Sequence, residues 1–139
     1  MSIMKKSLTS IAFLPLAIFS LSCSQDDSSK SIEQPSNPYL KYKGDWQGTF
    51  SGGDSGTWEA TVNDKGSIVG KVKSNALPLT NFTLEGKVSE DGNVSINYIY
   101  VGSKIGEFTG IMTSSSSNGN WFSNSSAGNW KGTWSGTKK

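Results

Sequence analysis

From Gly44 to the C-terminus the chain alternates between apolar and polar residues and seldom leaves that period of two. Trp46, Gly48 and Phe50 fall on one side of an extended backbone, and Asp45, Gln47 and Thr49 fall on the other. Successive side chains of a strand point to opposite faces of its sheet, so this pattern predicts strands with one buried face each. The same phase runs through Trp58-Ala60-Val62, Ile68-Gly70-Val72, Phe82-Leu84-Gly86-Val88, Val94-Ile96-Tyr98-Tyr100 and Phe108-Gly110-Met112. Trp121 marks a short strand and Trp130-Gly132-Trp134-Gly136 closes the series, which makes eight. Asn63-Asp64-Lys65-Gly66 and Glu90-Asp91-Gly92-Asn93 read as tight hairpin turns, with Gly where the backbone needs a positive φ. No segment carries a helical period, and no connection is long enough for a parallel crossover helix. An antiparallel meander follows.

Glycine narrows the architecture. Gly48, Gly70, Gly86, Gly110 and Gly132 occupy inward positions between bulky residues. Glycine inside a strand weakens it, so repeated use points to a geometric need, such as kinks that let a sheet curl until it closes. The first and last strands are near-copies: Gly44-Asp45-Trp46-Gln47-Gly48-Thr49-Phe50-Ser51-Gly52 against Gly128-Asn129-Trp130-Lys131-Gly132-Thr133-Trp134-Ser135-Gly136. Equivalent edges meeting side by side remove the open edges that invite aggregation. The fold class expected is all-β, an eight-stranded antiparallel up-and-down β-barrel, with a two-sheet β-sandwich as the alternative.

Gly132-Thr133-Trp134 and Gly56-Thr57-Trp58 are similar to the first-strand pattern of avidins, and about 95 residues resemble the calycin type of barrel that avidins and lipocalins share. The resemblance implies fold more than function. Avidins place polar side chains inside the barrel for their ligand, whereas the inward residues here are Trp, Phe, Ile, Leu, Val and Met, so biotin binding is not implied.

The N-terminus follows another logic. Lys5-Lys6, the apolar run Ile11 to Phe19 and a stretch of small residues ending at Ser22 read as a signal peptide over residues 1–22. The run is shorter than the ~20 residues a membrane-spanning helix needs, and Pro15 interrupts it. Phe19-Ser20-Leu21-Ser22-Cys23 resembles a lipobox, with Ser20 where the box prefers Leu and Leu21 one step later. Cys23 is the only cysteine, so it has no disulfide partner and is expected to carry diacylglycerol and palmitate as a membrane anchor. The polar and acidic run Ser24-Gln25-Asp26-Asp27 resembles the export signal of surface lipoproteins in the Bacteroidota. It implies an outer-membrane protein displayed on the cell surface, with the periplasmic face as the alternative. Residues 23–43 are polar, hold two prolines and are expected to form a flexible tether spanning roughly 20–25 Å. Tyr39, Leu40 and Tyr42 stand out as residues that could pack beneath the domain, which is placed at 44–139.

Charge and residue types exclude several functions. There is no His and no Arg, and after Cys23 eleven Lys balance eleven acids. Nothing supports a basic nucleic-acid face. Without His, a Ser nucleophile lacks its usual base and metal sites lose their commonest ligand. No catalytic residue, metal or cofactor is expected. Asp45, Glu59, Glu85 and Glu107 take the outward phase, where cross-strand pairs with Lys71, Lys87 and Lys131 are a better reading than a glycosidase pair. Trp121 and Phe122 are adjacent, so one of them faces outward. Together with Asn118, Asn120 and Asn124 they form the candidate binding rim, flanked by a Ser/Asn loop expected at 123–129. The function expected is a non-enzymatic lipoprotein that binds a protein or glycan partner through rim loops. An inhibitor of a peptidase or lysozyme, using the tether as a plug, is the alternative, and a carrier of a small apolar ligand inside the barrel is a second.

Overall fold

The computed structural model describes residues 35–125 and 128–139. Cys23, Ser24, Gln25, Asp26 and Asp27, with the expected signal peptide and most of the tether, lie outside the described residues.

Eight strands follow the alternating runs: β1 (Gly44–Gly52), β2 (Gly56–Val62), β3 (Ser67–Ser74), β4 (Phe82–Val88), β5 (Asn93–Tyr100), β6 (Ser103–Met112), β7 (Ser116–Ser125) and β8 (Gly128–Lys138). Every neighbouring pair is antiparallel, and β1 closes on β8 from Trp46↔Lys138 to Gly52↔Gly132. The result is a closed up-and-down barrel. Hairpin turns hold it as expected: Gly66 and Gly92 adopt φ of 82° and 93°, and the Asn63 side chain accepts from the amides of Lys65 and Ser67 at 2.9 and 3.0 Å.

The interior is solid with side chains. Eighteen apolar residues are buried among the described positions, nearly all on the inward phase of a strand. Aromatic edges meet faces throughout: Phe50 on Trp121 at 5.3 Å, Tyr98 on Phe108 at 5.4 Å and Trp58 on Trp134 at 5.6 Å between centroids. The inward glycines answer two needs. Gly48 lies directly across the seam from Gly136, and a Cβ on Gly48 would run into the Ser135 carbonyl. Gly136 in turn makes room for the Trp58 ring. Trp134 uses a similar gap, since it sits opposite Gly119, itself paired with Gly110. There its indole N–H donates to the carbonyls of Thr109 and Asn120 at 3.0 and 3.1 Å. Trp121 donates to Ser51 O at 3.0 Å and Trp46 to Tyr42 O at 2.8 Å.

The domain begins earlier than expected. Residues 38–42 form a turn rather than flexible tether, and the compact unit runs from Asn37 to Lys139. Two tyrosines supply the reason. Tyr42 is 2% exposed and its hydroxyl donates to Glu90 O at 3.0 Å; Tyr39 packs against the core beside Gly66. Burying a side chain of this size contributes about 2 kcal/mol, and two of them offset much of the backbone entropy lost in ordering the turn. Leu40 stays half exposed. The unit therefore contains its own core and has no open strand edge, the features of a domain able to fold on its own. Its two ends differ in parts: residues 37–43, 63–66, 89–92 and 113–115 close the end where the chain enters, and residues 53–55, 75–81 and 101–102 lie at the far end.

Candidate functional site

The sequence places Trp121, Phe122, Asn118, Asn120 and Asn124 at a loop-built rim, and the structure corrects this. They lie along β7, which continues to Ser125 through part of the expected loop. Trp121 faces inward and is 2% exposed, so it belongs to the core. Phe122 is the outward member of the pair at 40% exposure. Asn118, Asn120 and Asn124 are exposed on that same outer face, and with Phe122 they form a row spaced ~7 Å apart. The small residues flanking them pair fully with β6 and β8, which is why a Ser/Asn-rich segment forms a strand here.

The register gives this face its chemistry. Phe122 lies between Glu107 of β6 and Lys131 of β8; Asn120 lies between Thr109 and Thr133; Asn118 lies between Ile111 and Ser135. A groove of about 540 Å³ runs over Thr109, Asn120, Phe122, Lys131 and Thr133. It joins one exposed aromatic ring to one amide, two hydroxyls and a single cation. A larger groove of about 950 Å³ crosses the outer wall, lined among others by Asn118, Ser135, Thr49, Thr57 and Lys71. Asn118 and Ser135 are cross-strand partners two residues along from Asn120 and Thr133, so the two grooves lie next to each other on the wall without sharing a lining residue.

Of the four outward acids, Asp45 and Glu59 share a groove of about 490 Å³ with Lys71 and Lys139, and each has its own partner. Asp45 accepts from the Thr61 hydroxyl at 2.8 Å, Glu59 pairs with Lys139 at 3.4 Å and Glu107 pairs with Lys104. The expected pairs with Lys71, Lys87 and Lys131 are not among the ion pairs of the described residues. Lys71 does stand opposite Glu59 in register, but the terminal Lys139 takes that carboxylate. Exposed pairs are worth little, so which cation wins costs the fold almost nothing. Glu85 and Glu107 flank Asn97 on neighbouring strands, and neither lines any of the three main grooves. Among the described residues no three His, Cys, Asp or Glu side chains converge as metal ligands.

One buried polar cluster gave no signal in the sequence. Asp54, between β1 and β2, is 6% exposed. Its carboxylate accepts from the Ser74 hydroxyl at 2.5 Å, the Ser55 amide at 2.7 Å and the Ala76 amide at 3.1 Å. Ser74 Oγ also accepts from the Leu77 amide at 3.0 Å. The cluster ties residues 53–55 to residues 75–77 at the far end. Burial pushes the Tyr98 hydroxyl well above the ordinary tyrosine range, and the Asp54 carboxylate adds to the rise. Read in sequence, Gly53-Asp54-Ser55-Gly56 is only a turn; that Ser74 comes to meet it follows from the β2–β3 register.

No family model, curated protein or solved structure compared with the chain matches it.

Proposed function

We propose that the chain is a non-enzymatic cell-envelope lipoprotein, anchored through an acylated Cys23 and displayed at the outer surface of the outer membrane, whose barrel binds a glycan on the outer face of β6, β7 and β8. The observation that carries this reading is the row Asn118, Asn120, Phe122, Asn124, with Thr109, Lys131 and Thr133 beside it. A sugar ring offers an apolar C–H face that stacks on an aromatic ring. Its hydroxyls pair with amide and hydroxyl groups that both donate and accept. This face holds both kinds of partner in one groove, on rigid strands rather than on loops. Its sparse charge suits a neutral saccharide better than a protein interface, whose centre is richer in Trp, Tyr and Arg.

The outward acids favour binding over hydrolysis. Asp45, Glu59 and Glu107 already have partners, and a glycosidase needs two carboxyls facing each other across a bound sugar. The eighteen buried apolar side chains of the interior, many of them aromatic, argue against carriage of an apolar ligand. The inhibitor reading loses part of its plug, since Tyr39 and Tyr42 are engaged with the barrel itself. On architecture alone we group the domain with calycin-type barrels.

The test is retention of the Asn37–Lys139 unit on insoluble peptidoglycan sacculi, xylan and mannan. Binding to at least one is expected, with Phe122→Ala reducing affinity roughly five- to tenfold, the loss of about 1–1.5 kcal/mol of ring contact. Retention that is identical in wild type and Phe122→Ala, or absent on all three, overturns the proposal.

A further inference from the structure

The far end of the barrel exposes apolar side chains that the fold does not need. Leu79, in the loop between β3 and β4, is 97% exposed, and Val101, in the turn between β5 and β6, is 81% exposed. The two connections leave adjacent strands, because Phe82, the first residue of β4, pairs with Tyr100, the last of β5. Tyr100 is half exposed and rests its ring on Phe82 at 5.7 Å. Leu77 lies below, packed against the core and held in place by Ser74 and Asp54.

Val101 is the most informative of these residues. It has φ of 48° and is followed by Gly102 at 78°, the two positive angles of a tight hairpin turn. Asn or Gly fits the first of these positions, and a β-branched side chain is strained there. Strain retained at a position the core does not use points to a role outside the chain. The turn is also offset by an irregularity between β5 and β6, where Ile105 is skipped in the pairing and stays partly buried against the core.

Charge separates this end from the other. Among the described residues, the far-end loops and the last three positions of each strand there carry Lys73, Lys104 and one acid, Asp54, which is buried. Lys131 is one position further down β8, and Glu107, the nearest exposed acid on β6, pairs with Lys104. Counted the same way, the entry end mixes both signs, with Lys41, Lys43, Lys65, Lys87, Lys138 and Lys139 beside the acids Asp45, Asp64, Glu90 and Asp91, so the far end differs in having no exposed acid.

We propose that the far end is a docking tip for an anionic lipid surface. Leu79 and Val101 enter the acyl boundary, Tyr100 sits at headgroup level, Lys73 faces the anionic headgroups, and Lys104 exchanges its exposed pair with Glu107 for a headgroup anion at little cost. Aliphatic tips flanked by two lysines, with one interfacial Tyr and no exposed acid beside them, match the composition of the membrane–water boundary. A protein-binding centre would instead be depleted in Lys and would seat its anchors in a pocket, and neither Leu79 nor Val101 lines any of the three main grooves. This proposal uses a different surface from the glycan face and stands apart from it.

The experiment is sedimentation of the Asn37–Lys139 unit, which lacks the Cys23 anchor, with vesicles of phosphatidylcholine alone or mixed with phosphatidylglycerol. Binding to the mixed vesicles, weakening as salt is added, is expected. The double variant Leu79→Ser/Val101→Asn should reduce it roughly tenfold or more. Val101→Asn relaxes the turn, so the variant should melt no earlier than wild type, and lost binding cannot then be ascribed to unfolding. No sedimentation with the mixed vesicles, or equal binding by the variant, overturns the proposal. So does concentration-dependent dimerisation that the variant abolishes, because the apolar tip would then serve a second copy of the chain.

Discussion

Replacing Asp54 by Ala removes one carboxylate and leaves three donors facing a void. The Ser74 hydroxyl at 2.5 Å and the amides of Ser55 and Ala76 at 2.7 and 3.1 Å all lose their acceptor, at a site where the carboxylate is 6% exposed. A hydrogen bond to a charged group is worth about 1.5–3 kcal/mol. The three do not add in full, because removing the carboxylate also removes the cost of burying its charge. A net loss of about 2–4 kcal/mol is expected. In a domain of this size each kcal/mol moves Tm by about 4–8 °C, so Tm should fall by roughly 10–30 °C. Asp54→Asn is the control. Its amide oxygen still accepts from the Ser55 and Ala76 amides, and its NH₂ donates to Ser74 Oγ, so the cost should be about 1 kcal/mol. Thermal and urea unfolding followed by tryptophan fluorescence measure both variants. If Asp54→Ala unfolds within about 0.5 kcal/mol of wild type, the carboxylate does not hold the far end together. If Asp54→Asn is as costly as Asp54→Ala, the geometric argument is wrong and the charge itself is what matters.

Other substitutions probe the interior. Trp134→Phe forfeits an indole N–H shared by two carbonyls, whereas the buried Trp58 N–H has no partner among the described residues; urea unfolding should therefore show Trp134→Phe costlier than Trp58→Phe by about 1–2 kcal/mol. Gly48→Ala drives a methyl into the Ser135 carbonyl across the closing seam and should cost more than about 3 kcal/mol or prevent folding, as read by soluble yield and far-UV circular dichroism. Tyr98 provides a pH test. Its folded-state pKa lies above the unfolded value of about 10, so its contribution is intact below pH 10 and declines as pH rises beyond it. Wild type should lose stability faster than Tyr98→Phe above pH 10, and parallel curves for the two proteins would count against the burial of that hydroxyl.

Much of this barrel is legible in the sequence, because its signal is local. Alternation fixes which face of each strand is buried, and Gly66 and Gly92 mark their turns without help from distant residues. Barrel closure was legible through the near-identity of β1 and β8, which do pair. What was hidden depends on residues far apart in the chain. Both Trp121 and Phe122 fit a strand, and only the β6–β7–β8 register turns the indole inward to reach Ser51. A Ser/Asn-rich run looks like a loop until two strands pair with it on both sides. Tyr42 reads as tether until residues 89–92 supply the Glu90 carbonyl, and Asp54 reads as a turn residue until Ser74 arrives from β3. The apolar tip escaped notice because Leu79 and Val101 are ordinary residues in sequence and acquire meaning from exposure and from a positive φ.

The most direct test of the account is a map of where saccharide touches the barrel. Amide chemical shifts of the labelled Asn37–Lys139 unit would be followed while muropeptides, xylo-oligosaccharides and manno-oligosaccharides are added in turn. The account expects one of these to move a single contiguous set on the outer face of β6–β8, centred on Phe122 and including Thr109, Asn118, Asn120, Lys131 and Thr133. Shifts confined to residues 53–55, 75–81 and 101–102, or no shifts with any of the three, would contradict it.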